Sequence, residues 1–191
     1  MKILVVDNFD SFTYNLVHYI EQFTDVPVVV KRNHEIKLAE LESYDKIVLS
    51  PGPGLPNESI NLMAITEYCI ENNKPLLGVC LGLQAIVECM GGKLLQLNTV
   101  LHGTASLAHL TTTNNRLFTN ISSQFKVGHY HSWAADPSTL SKGVEVLATD
   151  QYNNVMAIKL KSKPVYGVQF HPESVLTPDG LKMIENWVAR C

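Results

Sequence analysis

With 191 residues, 46% of them hydrophobic and 17% charged, the chain has the size and balance of a single globular domain over residues 1–191. A net charge of −3 with no cluster of lysine or arginine excludes a nucleic-acid surface. No apolar run reaches the roughly 18 residues that a bilayer span needs. The first residues lack the apolar stretch and cleavage site of a signal peptide, so the expected compartment is the cytoplasm.

Residues 2–7 form an apolar run ending in an acid, the pattern of a buried first strand. Asp10 or Ser11 is placed to cap a following helix, with Phe12, Leu16, Ile20 and Phe23 at helical spacing. Residues 26–30 read as a second strand. A short amphipathic segment around Ile36, Leu38 and Leu41 then leads to a third strand at 46–49. A stiff loop, Ser50-Pro51-Gly52-Pro53-Gly54-Leu55-Pro56, precedes a helix with Leu62, Thr66, Cys69 and Ile70 on one face. Residues 72–75 stop that helix, and a strand, a cysteine turn and a helix to Met90 follow. From residue 93 to about 169, short Thr-, Val- and Leu-rich runs separated by turn residues predict mostly antiparallel strands. Residues 165–170 read as another buried strand. Thr177-Pro178 opens a last helix with Leu181, Ile184 and Trp187 inward. This alternation predicts an α/β fold: a flavodoxin-like open, mostly parallel sheet with helices on both faces and a small antiparallel addition.

The most informative stretch is Leu76-Leu77-Gly78-Val79-Cys80-Leu81-Gly82-Leu83-Gln84. An apolar run stops at a cysteine between two glycines, and a helical pattern begins at once. Such a bend presents one side chain between a strand and the positive end of a helix, which favours a thiolate. The other cysteines offer nothing comparable: Cys69 and Cys89 fall in apolar helical patterns, Cys191 is terminal, and there is no C-x-x-C spacing to suggest zinc. In an open parallel sheet, sites form beyond the carboxyl ends of the strands. Four segments gather there: Asp7-Asn8-Phe9-Asp10-Ser11, the Pro-Gly loop, the Cys80 turn and Phe170-His171-Pro172-Glu173-Ser174. Cys80 is then a nucleophile with His171 as its base and Glu173 orienting the imidazole. The Leu81 N–H and the Gly52–Gly54 loop are the candidate oxyanion donors. Taken singly, each motif is most simply a packed thiol, a turn or a capped loop; their joint placement at strand ends is what points to chemistry.

Gly78-Val79-Cys80-Leu81-Gly82-Leu83-Gln84, Pro51-Gly52-Pro53-Gly54 and Phe170-His171-Pro172-Glu173-Ser174 resemble the three signature blocks of class I, triad-type glutamine amidotransferases. The opening 7–16 is similar to the start of the small subunits of anthranilate synthase and aminodeoxychorismate synthase. The resemblance implies a glutaminase with catalytic Cys80, His171 and Glu173 and no cofactor or metal. It also implies L-glutamine binding by Gly52, Pro53, Gly54, Leu81, Gln84 and the backbone at Ser132 and Trp133. The implied partner is a large chorismate-using synthase subunit that receives the ammonia, because the chain shows no acceptor domain. Leu83, Thr104 and His129 depart from the residues common in the family, a histidine, a lysine and an arginine respectively. A cysteine peptidase with the same elbow would not require the Pro-Gly loop together with Gln84. A non-enzymatic flavodoxin-like binding module would leave the Cys80 turn and His171-Pro172-Glu173 without a purpose.

Overall fold

Short apolar strands that are buried on both faces read as continuous hydrophobic runs, and four of them build the core here. The computed structural model describes residues 1–191. It contains strands β1 (Ile3–Asp7), β2 (Val29–Arg32), β3 (Lys46–Leu49), β4 (Leu76–Val79), β5 (Leu94–Leu110), β6 (Gln124–Ala135), β7 (Val144–Asp150), β8 (Val155–Leu160) and β9 (Val165–Val168). They form one sheet in the order β2-β1-β3-β4-β9-β8-β7-β5-β6. The pairings from β2 to β9 are parallel, and those from β9 through β8, β7 and β5 to β6 are antiparallel. The antiparallel addition is therefore the continuation of the same sheet, and it carries β6 to the edge.

Helices α1 (Thr13–Glu21) and α4 (Gly180–Arg190) cover one face, burying Leu16, Ile20, Ile184 and Trp187. Helices α2 (Leu62–Glu71) and α3 (Leu81–Cys89) cover the other, burying Leu62, Ile65, Cys69 and Ile86. Two hydrophobic layers thus clamp the parallel strands and hold their carboxyl ends level.

Several local expectations shift. The second strand begins at Val29, because Val26 and Pro27 lie exposed in the turn before it. Ile36 and Leu41 are buried as expected, but Ile36 is the extended residue after one short 3-10 turn and Leu41 lies on the next, and Leu38 is exposed. Neither Asp10 nor Ser11 caps α1. The Phe12 N–H donates to Asp10 Oδ1 at 2.8 Å one step before the helix, and Asp7 Oδ1 accepts from the Thr13 hydroxyl at 2.9 Å. Helix α4 starts at Gly180, not at the Thr177-Pro178 pair, because the Thr177 hydroxyl is engaged in the loop carrying His171.

Candidate active site

The bend at Cys80 has φ 51° and ψ −99°, a conformation that costs an L-residue on the order of 1–3 kcal/mol unless its surroundings enforce it. They do so by hydrogen bonds on both sides. The Cys80 N–H donates to the Val168 carbonyl at 2.8 Å, and the Cys80 carbonyl accepts from the Gln84 N–H at 3.1 Å. Backbone also presses on backbone: a Cβ on Gly78 would lie 2.4 Å from the Gly82 carbonyl carbon, and one on Gly82 2.8 Å from the Leu49 carbonyl oxygen. Only glycine fits at either side of the cysteine.

The Pro-Gly loop is fastened beside this turn by Asn8. Its N–H donates to Ser50 Oγ and its Nδ2 to the Ser50 carbonyl, both at 2.9 Å, and the side chain is buried. Gly52 then lies so close that a Cβ there would meet Asn8 and Leu81 Cδ2 at 2.7 Å. The loop therefore packs directly against the first turn of α3, the closeness that an oxyanion site built from main-chain donors needs.

His171 follows β9, and its Nδ1 lies 2.7 Å from Glu173 Oε1 with both side chains buried. Burial by itself would lower the imidazole pKa, but the adjacent Cys80 sulfur and the hydrogen-bonded Glu173 carboxylate outweigh it and raise the value to about 10. His171 Nε2 has no well-aligned hydrogen-bond partner, so its link to the Cys80 sulfur is one of proximity. Catalytic contacts of this kind tighten when substrate arrives. The ring is boxed by Tyr130 and Phe12, edge-on at 4.9 and 5.5 Å between centroids. Thr177 secures the loop from below, donating to the His171 carbonyl at 2.7 Å and accepting from the Gly128 N–H at 3.0 Å.

Cys80 stands between two clefts. One, of about 150 Å³, is lined by Gly52, Pro53, Gly54, Gln84, Ser132 and Trp133 as expected, and also by Tyr130 and His131. It is roughly half the size of the smallest drug-sized pockets, near ~300 Å³, and suits one small molecule. Leu81, also expected here, is buried at the head of α3 and is not among the residues lining this cleft. The other cleft, about 360 Å³, reaches Cys80 and His171 from the side of Phe9, Asp10 and Ser11.

Gln84 is placed differently from a free substrate ligand. Its Nε2 donates to the Trp133 carbonyl at 2.9 Å and to Gln169 Oε1 at 3.3 Å, which leaves only its carbonyl oxygen to offer. Opposite this point β5 bulges: Gln96 pairs with Trp133 and Leu101 with His131, so Ser132 has no residue facing it in the register. Its main-chain groups are thereby available to the cleft. Leu83 is fully buried against Gly167 and lies in the core. Sequence reasoning missed Gln169, which is fully buried and donates to Cys80 Sγ at 3.5 Å. The sequence shows only that an amide at the end of an apolar run needs a partner, not which one.

A cysteine on a strand-to-helix elbow, with a buried His–Glu pair at the next strand end, is the arrangement that thiol-dependent acyl transfer needs. The chain belongs to the class-I glutamine amidotransferase family, whose profile matches residues 4–191. Among its relatives, the anthranilate synthase component 2 of Lactococcus lactis subsp. lactis is 42% identical over 189 residues, covering 97% of this chain and 93% of that one. The aminodeoxychorismate/anthranilate synthase component 2 of Bacillus subtilis is 38% identical over 190 residues, covering 97% and 95%. Among solved structures, a Thermoplasma acidophilum protein described as part of a GMP synthase superposes with a TM-score of 0.88 at 25% identity, covering 98% of this chain and 92% of that one.

Proposed function

We propose that this chain is the glutaminase component of a chorismate-using synthase, with anthranilate synthase as the first reading and aminodeoxychorismate synthase, or service to both, as the second. The observation that carries it is the position of Cys80, open to a small cleft on one side and adjacent to the buried His171–Glu173 pair on the other. The names borne by the relatives support the choice of acceptor.

In this reading L-glutamine lies in the 150 Å³ cleft with its amino-acid end toward Ser132 and the Gln84 carbonyl oxygen. Cys80 Sγ, its proton already held by the His171 imidazolium, attacks the side-chain amide carbon. The tetrahedral oxyanion is held by the Leu81 N–H and main-chain donors of the Gly52–Gly54 loop; losing one such donor costs about 10²–10³ in rate. His171 Nε2 then protonates the departing nitrogen, the C–N bond breaks, and ammonia leaves a γ-glutamyl thioester. Water gives a proton to His171 and attacks the thioester; glutamate departs and the thiol regains its proton. The partner is a large chorismate-binding subunit, and the site of action is the cytoplasm, where the four unpaired thiols suit a reducing medium.

The test is labelling of Cys80 by 6-diazo-5-oxo-L-norleucine, a glutamine analogue, followed by peptide mapping. Labelling confined to Cys80 and suppressed by L-glutamine, but not by asparagine or glutamate, is expected. Absence of labelling, or equal protection by all three amino acids, would overturn the glutaminase reading.

A further inference from the structure

A cavity of about 540 Å³, lined by Ser106 and His129 but not by Cys80, opens between β5, β6 and the turn joining β7 to β8. Side chains alternate along a strand, so His129, His131 and Trp133 share one direction on β6. They form a continuous file of hydrogen bonds leading out of that cavity. Ser106 Oγ lies 2.7 Å from His129 Nε2, His129 Nδ1 lies 3.2 Å from His131 Nε2, and His131 Nδ1 lies 2.9 Å from the Trp133 carbonyl. That carbonyl is the same one that accepts from Gln84 Nε2 at 2.9 Å.

The direction of every bond in the file follows from its inner end. A carbonyl only accepts, so His131 Nδ1 carries a hydrogen. Burial, with His129 beside it, holds the His131 pKa down to about 4, so the ring is neutral and its Nε2 is bare. His129 Nδ1 must then be the donor. Burial lowers the His129 pKa as well, so its own Nε2 accepts from the Ser106 hydroxyl. Both nitrogens of His131 are engaged within the protein, and neither is left for a ligand in the cleft. The Trp133 carbonyl has two donors, Gln84 and His131, one for each lone pair, which fixes its orientation.

We propose that Ser106, His129 and His131 form a positioning relay that holds the Trp133 carbonyl, and through it Gln84 and the unpaired Ser132 segment, in the geometry that binds glutamine. None of the three is a catalytic residue. His129, one of the departures from the family's usual residues, becomes intelligible as the middle link. The relay rests on the glutamine reading of the cleft and adds to it the control of that edge.

The experiment measures the L-glutamine concentration that half-protects Cys80 from iodoacetamide, together with the alkylation rate without glutamine. His131→Phe keeps a flat ring and loses both nitrogens. His131→Asn keeps a donor near the place of Nδ1 and serves as the conservative variant. The relay predicts that His131→Phe raises the half-protecting concentration about tenfold with no matching fall in alkylation rate, and that His131→Asn recovers most of the loss. His129→Phe is expected to give a smaller rise in the same direction, because it removes the donor to His131 only. An unchanged half-protecting concentration in His131→Phe, or His131→Asn behaving no better than His131→Phe, would overturn the relay. A parallel fall in alkylation and protection would also overturn it, since that reports a collapsed site. Failure of glutamine to protect the unmodified protein would instead defeat the glutamine reading itself.

Discussion

His171 is asked to be a cation when ammonia leaves and a base when water attacks, and its surroundings lean toward the cation. Burial opposes the charge, yet Cys80 and Glu173 outweigh it and lift the pKa from 6.5 to about 10. A group raised in this way stabilises the folded state fully below its unfolded value and loses that contribution as pH climbs through the folded one. Glu173→Gln keeps the shape and a hydrogen-bond acceptor for Nδ1 but removes the charge. Glutaminase activity is expected to fall by about 10²–10⁴, the usual share of acid–base catalysis. In urea titrations the advantage of the unmodified protein over this variant should be greatest near pH 6.5 and shrink toward pH 10. An advantage that grows across that window would show that the imidazole is not held as a cation. At this scale the residues that announced themselves, Cys80, His171 and Glu173, were those within two residues of glycine or proline just past a strand. Gln169 and Thr177 were not legible, for opposite reasons. Gln169 continues an apolar strand and shows its purpose only when the Cys80 sulfur is found 3.5 Å away. Thr177, before a proline, has the local pattern of a helix cap, and a tertiary bond to the His171 carbonyl takes its hydroxyl instead.

The elbow between β4 and α3 is a backbone device, and it can be tested as one. At an ordinary position glycine is less stable than alanine by roughly 0.5–1 kcal/mol, because it loses more freedom on folding. At Cys80, with φ 51° and ψ −99°, the strain that any Cβ suffers works the other way. Cys80→Gly is therefore expected to be more stable than Cys80→Ala, by about 1 kcal/mol in urea unfolding. The ordinary order, with alanine ahead, would mean that the bend is not strained. The elements around this elbow were readable because burial on both faces gives continuous apolar runs, as in β1, β3, β4 and β9. Their ends were less so. The second strand starts three residues late because Val26 and Pro27 lie in a locally bonded, exposed turn. Helix α4 starts two residues beyond its apparent cap because the Thr177 hydroxyl is claimed by the His171 loop. The bulge that frees Ser132 was invisible in the sequence, because it depends on how β5 pairs with β6 rather than on either strand alone.

Across the whole molecule, two helical layers present one edge of the sheet, and that edge has two openings onto the same thiol. The smaller suits glutamine. The larger, about 360 Å³, is bordered by Phe9 and Ser11, and large apolar side chains at this edge stay in water: Phe9 is 51% exposed and Val175, four residues past His171, is 91% exposed. Exposed apolar groups gathered beside an active site suit a protein partner. Ammonia supplies the reason for one. Released into neutral water it becomes ammonium, which is no nucleophile, so hydrolysis is useful only when an acceptor covers the exit. A glutaminase component of this kind gains if its hydrolysis is slow until the acceptor is in place. Adding the synthase component with chorismate is therefore expected to raise glutamine hydrolysis by roughly tenfold, within the usual range of coupling between sites. Cys80→Ser should abolish glutamine-dependent product formation in the complex while the same complex still uses ammonium salts. Equal glutaminase rates with and without the synthase would sink the coupling, and glutamine use retained by Cys80→Ser would remove Cys80 from the reaction.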